Sequence, residues 1–252
     1  KKVLSDRYFL GRKCIFCDWN KLYRLKDNRV KCKQCNKKYS LNQLRTEIQI
    51  LYYFYLELSA RKTAQELELD YKTVQSKFMQ FRKSIAEYHK KEAQKLNGEL
   101  ELDETYFGGK RKGQRGRGAN NKAIAFGILE RKGKVYTIIV ENVSKETLMK
   151  AIEEKTHKGS VFYTDGFKSY TDLKQYGKHN IIRHDKNEFA KEKNHINGIE
   201  GFWSFAKERF RKYHGIDKQN YPFYLKEMEF RFNNRSSNIF KLLIDICVRR
   251  RV

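Results

Sequence analysis

The sequence is poor in proline and lacks long apolar runs, and these shortages exclude several classes of protein. Proline occurs once, at Pro222, so there are no Pro-rich flexible linkers. No stretch of about 18 apolar residues is present, which argues against a membrane-spanning helix. No signal peptide with an apolar core is found either. Because aromatic residues make up 14% of the chain, it differs from a disordered basic tail and is expected to fold.

Positively charged residues are in clear excess. Lys and Arg number 55 against 30 Asp and Glu, a formal net charge of +25 on 252 residues. So large an excess predicts a polyanionic partner, with nucleic acid as the first candidate and a membrane surface as the second. The length is sufficient for more than one domain.

Four of the five cysteines form two C-x-x-C pairs, "CIFC" at Cys14 and Cys17 and "CKQC" at Cys32 and Cys35. Each pair can present two thiolates from one tight turn, and two such turns complete a tetrahedral zinc site. The spacing between the pairs is slightly shorter than usual for a zinc ribbon. The alternative is two unrelated pairs of buried thiols. A closed four-ligand site predicts a structural Zn²⁺ in a zinc ribbon over residues 1–42, and a reducing compartment fits paired thiols that hold metal.

Residues 43–97 show helical periodicity and predict a helix-turn-helix domain. A short helix around Ala64 and Leu67 precedes Asp70, which can cap the next helix. Several polar residues lie on the exposed face of that second helix, where they can reach phosphates and base edges. These candidate DNA-binding residues are Lys72, Thr73, Gln75, Ser76 and Lys77. The alternative is a three-helix packing unit with a solvated polar face.

From residue 98 onward the pattern changes to strands and then alternates with helices. Three strands in a row, the last two joined by a hairpin at 131–133, are followed by helix, strand, helix, strand and helix. This order predicts a mixed sheet with helices on its faces. The fold class is therefore multidomain α/β, with a mixed-sheet domain over 98–252 that follows the zinc ribbon and the helical domain.

Three carboxylates occupy matching places in this scheme. Asp103 lies on the first strand, Asp165 ends the fourth, and Glu200 lies on the helix "HINGIEGFWSFAK". Since strands one and four can lie side by side, we expect the three to converge. Carboxylates that converge repel one another unless a cation neutralises them, and oxygen ligands favour Mg²⁺ or Mn²⁺. On the same helix an apolar stripe is predicted to be buried, consisting of Ile199, Phe202, Trp203, Ala206 and Phe210. The opposite face carries Glu200, Ser204, Lys207 and Arg211, of which Lys207 and Arg211 could contact DNA phosphates. An ordinary solvated ion pair is the alternative for Glu200 and Lys207.

Four segments carry a family resemblance: "LDETYFGGKRKGQRGRG", "VFYTDGFKSY", "NHINGIEGFW" with its following lysine, and "YLKEMEFRFNNR". Together with the N-terminal modules they resemble bacterial insertion-sequence transposases of the Asp-Asp-Glu type with an added lysine, the group related to Merlin transposons. The resemblance implies an RNase H-like catalytic domain, with Asp103, Asp165 and Glu200 as metal ligands and Lys207 as the added lysine. Members of this group vary at the third acid, so His195 and Asn197 remain alternatives to Glu200.

A basic, glycine-rich loop, "GGKRKGQRGRG", joins the first two strands beside Asp103. We predict that it grips phosphates, although a solvated charge run is the alternative. Its candidate DNA-binding residues are Lys110, Arg111, Lys112, Arg115 and Arg117.

The resulting hypothesis is a DNA transposase of the bacterial cytoplasm, acting at the nucleoid. It would bind double-stranded DNA at the inverted-repeat ends of its element, cleave there with Mg²⁺ or Mn²⁺, and join the ends to target DNA. Holding two ends together predicts a homodimer or larger assembly on DNA. Two alternatives stay open: a transposase-derived regulator that binds DNA without catalysis, and a nuclease that cuts without joining.

Overall fold

The computed structural model describes residues 13–27, 29–91, 94–108, 122–182, 195–213 and 215–249. By its internal contacts the chain divides into two units. One comprises Lys1–Tyr88 with Ser236–Val252, and the other comprises His89–Arg235. The predicted division into three domains at residues 42 and 97 stays a prediction.

The first unit begins with a small antiparallel sheet. Strands β1 (Leu22–Arg24), β2 (Arg29–Cys32) and β3 (Lys38–Ser40) pair in that order. Both C-x-x-C turns end on a residue with a left-handed backbone, Asp18 and Asn36, each with a φ of 57°. Asp and Asn tolerate this conformation better than most residues. The sequence thus repeats one turn twice and brings two pairs of cysteines to the same end of the sheet.

Three helices follow, α1 (Leu41–Tyr55), α2 (Ala60–Leu67) and α3 (Tyr71–Lys91). Serines cap the first two, and the predicted cap of α3 is confirmed because Asp70 accepts a hydrogen bond from the Thr73 backbone N–H at 3.0 Å. Phe54 of α1 packs edge-on against Phe78 and Phe81 of α3. All three of these rings are buried, so the contact lies on the buried faces of α1 and α3.

The C-terminal segment also belongs to the first unit. Helix α8 (Ile239–Ile244) continues into a π-helical turn, Asp245–Arg249, and Phe240 packs against Tyr52 of α1 with ring centroids 5.5 Å apart. The sequence pattern predicts these residues as part of the domain over 98–252, and that boundary stays a prediction. Periodicity reveals that a helix has a buried face but does not reveal which domain covers it.

The second unit is built on a five-stranded mixed sheet. Its strands are β4 (Glu99–Phe107), β5 (Ala123–Glu130), β6 (Val135–Val140), β7 (Val161–Thr164) and β8 (Lys178–Ile181), in the order β6-β5-β4-β7-β8. The pairs among β4, β5 and β6 are antiparallel, and β7 runs parallel to both β4 and β8. Three antiparallel strands extended by two parallel ones form an RNase H-like sheet, as predicted, with the first and fourth strands of the sheet side by side.

Helices cover both faces of this sheet. Helix α4 (Lys145–Lys155) and the short α5 (Leu173–Tyr176) pack on one face. The other face is covered by α6 (Asn197–Phe210) and α7 (Tyr221–Asn233), the second of which has Pro222 in its first turn. The predicted apolar stripe of α6 is confirmed, since all its members are buried: Ile199, Phe202, Trp203, Ala206 and Phe210.

A glycine lets α6 approach the sheet closely. Gly127 of β5 pairs with Asp103 across the strands. A Cβ at Gly127 would lie 2.6 Å from the Trp203 ring and 2.9 Å from Ile199 Cδ1, so any side chain there would push the helix away. The helix that carries Glu200 therefore packs directly beside the strand that carries Asp103.

Side chains of α7 form hydrogen bonds with backbone groups of β6, the strand at one edge of the sheet. Glu229 accepts hydrogen bonds from the Thr137 backbone N–H and hydroxyl at 2.8 and 2.7 Å. The Asn233 amide bonds both the N–H and the C=O of Val135. These contacts occupy backbone groups that an edge strand would otherwise expose to pairing with other chains.

Among the described residues, no helix is long and apolar enough to cross a membrane.

Candidate active site

The structure brings the three predicted acidic residues into one region. Asp103 lies on the face of β4 that packs against α6, since it shares that face with Phe107, which contacts Trp203. Asp165 follows directly after β7, the parallel neighbour of β4. Glu200 lies in the first turn of α6, and its side chain is exposed beside the buried Ile199.

Electrostatics confirm that these carboxylates influence one another. Burial, followed by the charges of Glu104, Asp165 and Glu200, raises the pKa of Asp103 from 3.8 to about 7. Like charges in a low-dielectric site disfavour ionisation, so a bound cation would favour the charged form of Asp103. The raised pKa distinguishes Asp103 from a carboxylate whose charge is already neutralised by other groups of the protein.

The acidic residues do not form a compact ligand cluster by themselves. In the described part of the chain, one group of three or more metal-ligand residues has donor atoms that all lie within 4.8 Å of one another. This group consists of the four N-terminal cysteines. The carboxylates thus lie close enough to interact electrostatically and are spaced more widely than the sulfur ligands. Catalytic metal sites characteristically keep positions open for water and substrate.

The fourth carboxylate, Glu104, was missed by the sequence analysis. It is adjacent to Asp103 but accepts a hydrogen bond at 2.8 Å from the hydroxyl of Tyr170, which is 1% exposed. Burial and the nearby charge of Glu104 raise the pKa of Tyr170 well above its ordinary value. The tyrosine of "DGFKSY" therefore ties the segment after Asp165 to the strand that carries Asp103. The adjacent acids in "LDETYF" were the available signal.

The two alternatives for the third acid lie at the start of α6. The His195 imidazole Nδ1 is 3.7 Å from Glu101 Oε1, and the His195 backbone carbonyl accepts a bond from Arg131. Asn197 is exposed at the first position of the helix. Glu200 is one of the charged groups that raise the pKa of Asp103. Glu200 remains the better candidate.

The remaining residues of the predicted helix face lie toward solvent. Ser204, Lys207 and Arg211 are exposed, as is Glu200, on the side of α6 opposite its apolar stripe. Lys207 lies about two helical turns after Glu200, the candidate metal ligand, on the same face of α6. This arrangement is suitable for contact with a phosphate backbone.

On α3, four of the five predicted DNA-binding residues are freely accessible: Lys72, Thr73, Gln75 and Ser76. Lys77 differs, because its ammonium group contacts Glu47 of α1 at 2.9 Å and its side chain is 34% exposed. The five predicted residues of the basic loop, Lys110, Arg111, Lys112, Arg115 and Arg117, lie outside the described residues.

The four N-terminal cysteines form a site that could hold a metal ion. Cys14 and Cys35 have Sγ atoms 3.6 Å apart, as do Cys17 and Cys32. A tetrahedral zinc with Zn–S bonds of about 2.3 Å places sulfurs at about 3.8 Å. Burial raises the pKa of Cys14 to about 12, so its thiolate would require a cation. The donor set and its spacing both fit zinc.

The second unit is therefore an RNase H-like α/β domain in which Asp103 lies in the middle of β4, Asp165 directly follows β7, and Glu200 lies on α6. Residues 95–233 match the family described as ISXO2-like transposase domain. The chain belongs to this family of insertion-sequence transposases.

Relatives agree with this assignment. An uncharacterized transposase-like protein of Haemophilus influenzae is 46% identical over 105 residues, which cover 41% of this chain and 84% of that protein. An uncharacterized protein in the transposable element ISH50 of Halobacterium salinarum is 24% identical over 198 residues, covering 71% of this chain and 66% of that protein.

Similarity to solved structures is weak. The catalytic domain of Mos1 mariner transposase superposes with a TM-score of 0.28 and 14% identity, covering 66% of this chain and 91% of that domain. A chain of the simian T-cell lymphotropic virus intasome gives a TM-score of 0.36, and the match spans about half of it, 49%. The fold assignment therefore rests on the strand order.

Proposed function

We propose that this chain binds the ends of its insertion sequence and catalyses metal-dependent cleavage and joining of DNA strands. The observation that carries the proposal is Asp103, a partly buried acid whose pKa is raised by desolvation and by neighbouring carboxylates, in a protein of net charge +25. An acidic centre in a basic chain suits a polyanionic substrate that reacts where cations are bound.

Asp103, Asp165 and Glu200 would hold Mg²⁺ or Mn²⁺, ions that can activate water and stabilise the oxygen that leaves a phosphodiester. In the first reaction a water oxygen attacks phosphorus, and the bond to the 3′ oxygen breaks and leaves a 3′ hydroxyl. In the second, that hydroxyl oxygen attacks a target phosphodiester and displaces a new 3′ hydroxyl. Lys207 and Arg211 would hold the DNA backbone along α6.

The first unit would recognise the element ends. Zinc on the four cysteines would fix the two turns of the ribbon, and α2 with α3 would form a helix-turn-helix whose second helix reads the major groove. Lys72, Thr73, Gln75 and Ser76 support this because they are exposed on one helix. Bringing two ends together implies a dimer or larger assembly on DNA in the bacterial nucleoid.

Labelled element-end DNA, incubated with the full chain and Mg²⁺, separates the three candidate activities. Transposition predicts both nicked ends and products joined to a second DNA. Nicked ends alone would indicate a nuclease, and binding without nicking would indicate a regulator. Glu200→Gln serves as the negative control, and Glu208→Gln, an exposed acid on the same helix, is its matched control.

A further inference from the structure

Glu101 and Arg131 hold the first turn of α6 on the sheet, and we propose that they are positioning residues that place Glu200 opposite Asp103. The inference rests on the proposed role of Glu200 as a metal ligand. Neither residue is among the acids and lysine suggested by the sequence. Their contacts distinguish them from the rest of the acidic centre.

Glu101 connects β4 to the helix start. It lies two residues before Asp103 on the same strand face and is 1% exposed. Its Oε2 accepts a hydrogen bond at 2.9 Å from the backbone N–H of Ile199, the residue before Glu200. The free N–H groups of a first helical turn and the helix dipole both favour a carboxylate there. Glu101 thereby fixes the backbone of the turn that presents Glu200.

Arg131, in the turn between β5 and β6, completes the attachment. Its Nε contacts Glu101 Oε1 at 3.0 Å, and its Nη2 donates to the His195 carbonyl at 2.5 Å. Its guanidinium also lies 3.6 Å above the Tyr163 ring. One planar group therefore neutralises Glu101 and holds the backbone just before α6. Since a buried ion pair with one partner removed is strongly destabilised, the two residues act together.

A glycine makes this attachment sterically possible. A Cβ at Gly198 would lie 2.8 Å from Glu101 Oε2 and 3.0 Å from Leu129 Cδ2. Glu101 cannot withdraw without losing its bonds to Ile199 or Arg131. By contrast, a Cβ at Gly201 on the same helix would have no heavy atom within 4 Å. The two glycines provide a matched pair for testing the attachment.

The roles of Glu101 and Asp103 can therefore be separated. Glu101 has an arginine and a backbone N–H as partners, so it needs no metal. The charged groups that raise the pKa of Asp103 are all carboxylates. Loss of the attachment should shift Glu200 relative to Asp103 and weaken metal binding while the apolar stripe of α6 stays packed.

The test is direct Mn²⁺ binding to the full, zinc-loaded chain, measured from the electron paramagnetic resonance signal of free Mn²⁺. Gly198→Ala should weaken Mn²⁺ affinity by about tenfold or more, the usual loss when residues that orient a metal ligand are altered. Gly201→Ala should bind as the parent does. Glu200→Gln provides the reference for loss of the ligand itself. Both alanine variants are compared with the parent in circular dichroism and thermal melting.

The outcomes are distinguishable. Parental affinity in Gly198→Ala, with Glu200→Gln weakened, would overturn the positioning role but leave the ligand assignment intact. Parental affinity in Glu200→Gln would instead overturn the ligand assignment in the proposed function. If Gly198→Ala does not fold, Arg131→Lys replaces it, because lysine keeps the charge but lacks the fork that reaches both Glu101 and His195. Arg131→Lys should bind Mn²⁺ several-fold more weakly than the parent, and equal binding would refute the proposal.

Discussion

The cysteine site of the first unit and the acidic site of the second differ in how completely the fold assembles them. The four Sγ atoms lie within 4.8 Å of one another, whereas the acids form no such group in the described part of the chain. Two turns of one small sheet carry the four cysteines of this site. Two strands and a helix, distant in sequence, carry Asp103, Asp165 and Glu200. The first arrangement suits a closed structural metal, and the second leaves room for water and a DNA strand.

A second contrast lies within strand β4. Glu101 and Asp103 share one face of the strand, yet Glu101 is neutralised by Arg131 and accepts a hydrogen bond from a backbone N–H of α6. Asp103 is destabilised in its charged form by burial and by three other acids. The fold therefore supplies polar partners to Glu101 and leaves the charge of Asp103 to be neutralised by a cation. Such a cost in stability is common where residues serve catalysis.

The largest expected effect is on catalysis at the acidic site. Asp103→Asn, Asp165→Asn and Glu200→Gln should each lower metal-dependent cleavage of end DNA by orders of magnitude, because the metal is lost or misplaced. Gel assays of strand cleavage measure this loss. His195→Ala and Asn197→Ala should do less damage than Glu200→Gln. A dead Asn197→Ala variant beside an active Glu200→Gln variant would mean that Asn197 is the third ligand.

Breaking the cysteine site should affect folding and DNA affinity. Cys14→Ser removes one of four thiolates and should release zinc, which elemental analysis should find at about one per parental chain. The ribbon should then unfold locally, and binding to element ends should weaken. Proteolysis within the first unit reports the unfolding. A metal-free parental protein with an intact ribbon would contradict this assignment.

Lys207 should show an intermediate effect. It is exposed on the same side of α6 as Glu200 and is not expected to bind metal. Lys207→Ala should slow cleavage by roughly 10-fold to 100-fold through poorer placement of the DNA end, an effect expected of a positioning group. Mn²⁺ affinity should remain near that of the parent. A matched loss of metal binding would show that Lys207 supports the acids directly.

The smallest expected effect is on stability and depends on pH. Because folding raises the pKa of Asp103 from 3.8 to about 7, the folded state binds the proton more tightly than the unfolded state does. The metal-free protein should lose stability as pH rises from about 4 to 7 and then level off. Asp103→Asn should remove this cost, so it should be more stable than the parent at pH 8 by roughly 1–3 kcal/mol. Chemical denaturation in chelator at pH 5 and pH 8 checks the difference. A variant less stable than the parent at pH 8 would refute the explanation.

Much of the fold followed from local patterns in the sequence. Alternation located the strands, and helical spacing identified the buried stripe from Ile199 to Phe210. The cap at Asp70 could be predicted because Asp bonds its own helix turn. Strands one and four were placed together from their order along the chain, and β4 and β7 do pair.

The rest depended on contacts between distant segments. Arg131 resembles any hairpin-turn residue until the fold brings it to Glu101 and His195. Glu229 and Arg231 lie in α7. Both are buried, however: Glu229 accepts a hydrogen bond from Thr137 of β6 at 2.8 Å, and Arg231 donates to Glu227 one turn earlier in the same helix at 2.9 Å. The burial of such charged residues is not visible in the sequence, because each of them alone resembles a surface residue.

The most direct test of the acidic site is to locate its metal. Crystals of the protein bound to element-end DNA, soaked in Mn²⁺, would be examined by anomalous diffraction. We expect Mn²⁺ coordinated by Asp103, Asp165 and Glu200, with two ions about 3.5–4 Å apart beside the scissile phosphate. Glu101 should remain bonded to Arg131 and outside the coordination shell. Mn²⁺ bound by Glu101, or by none of the three proposed acids, would contradict the account.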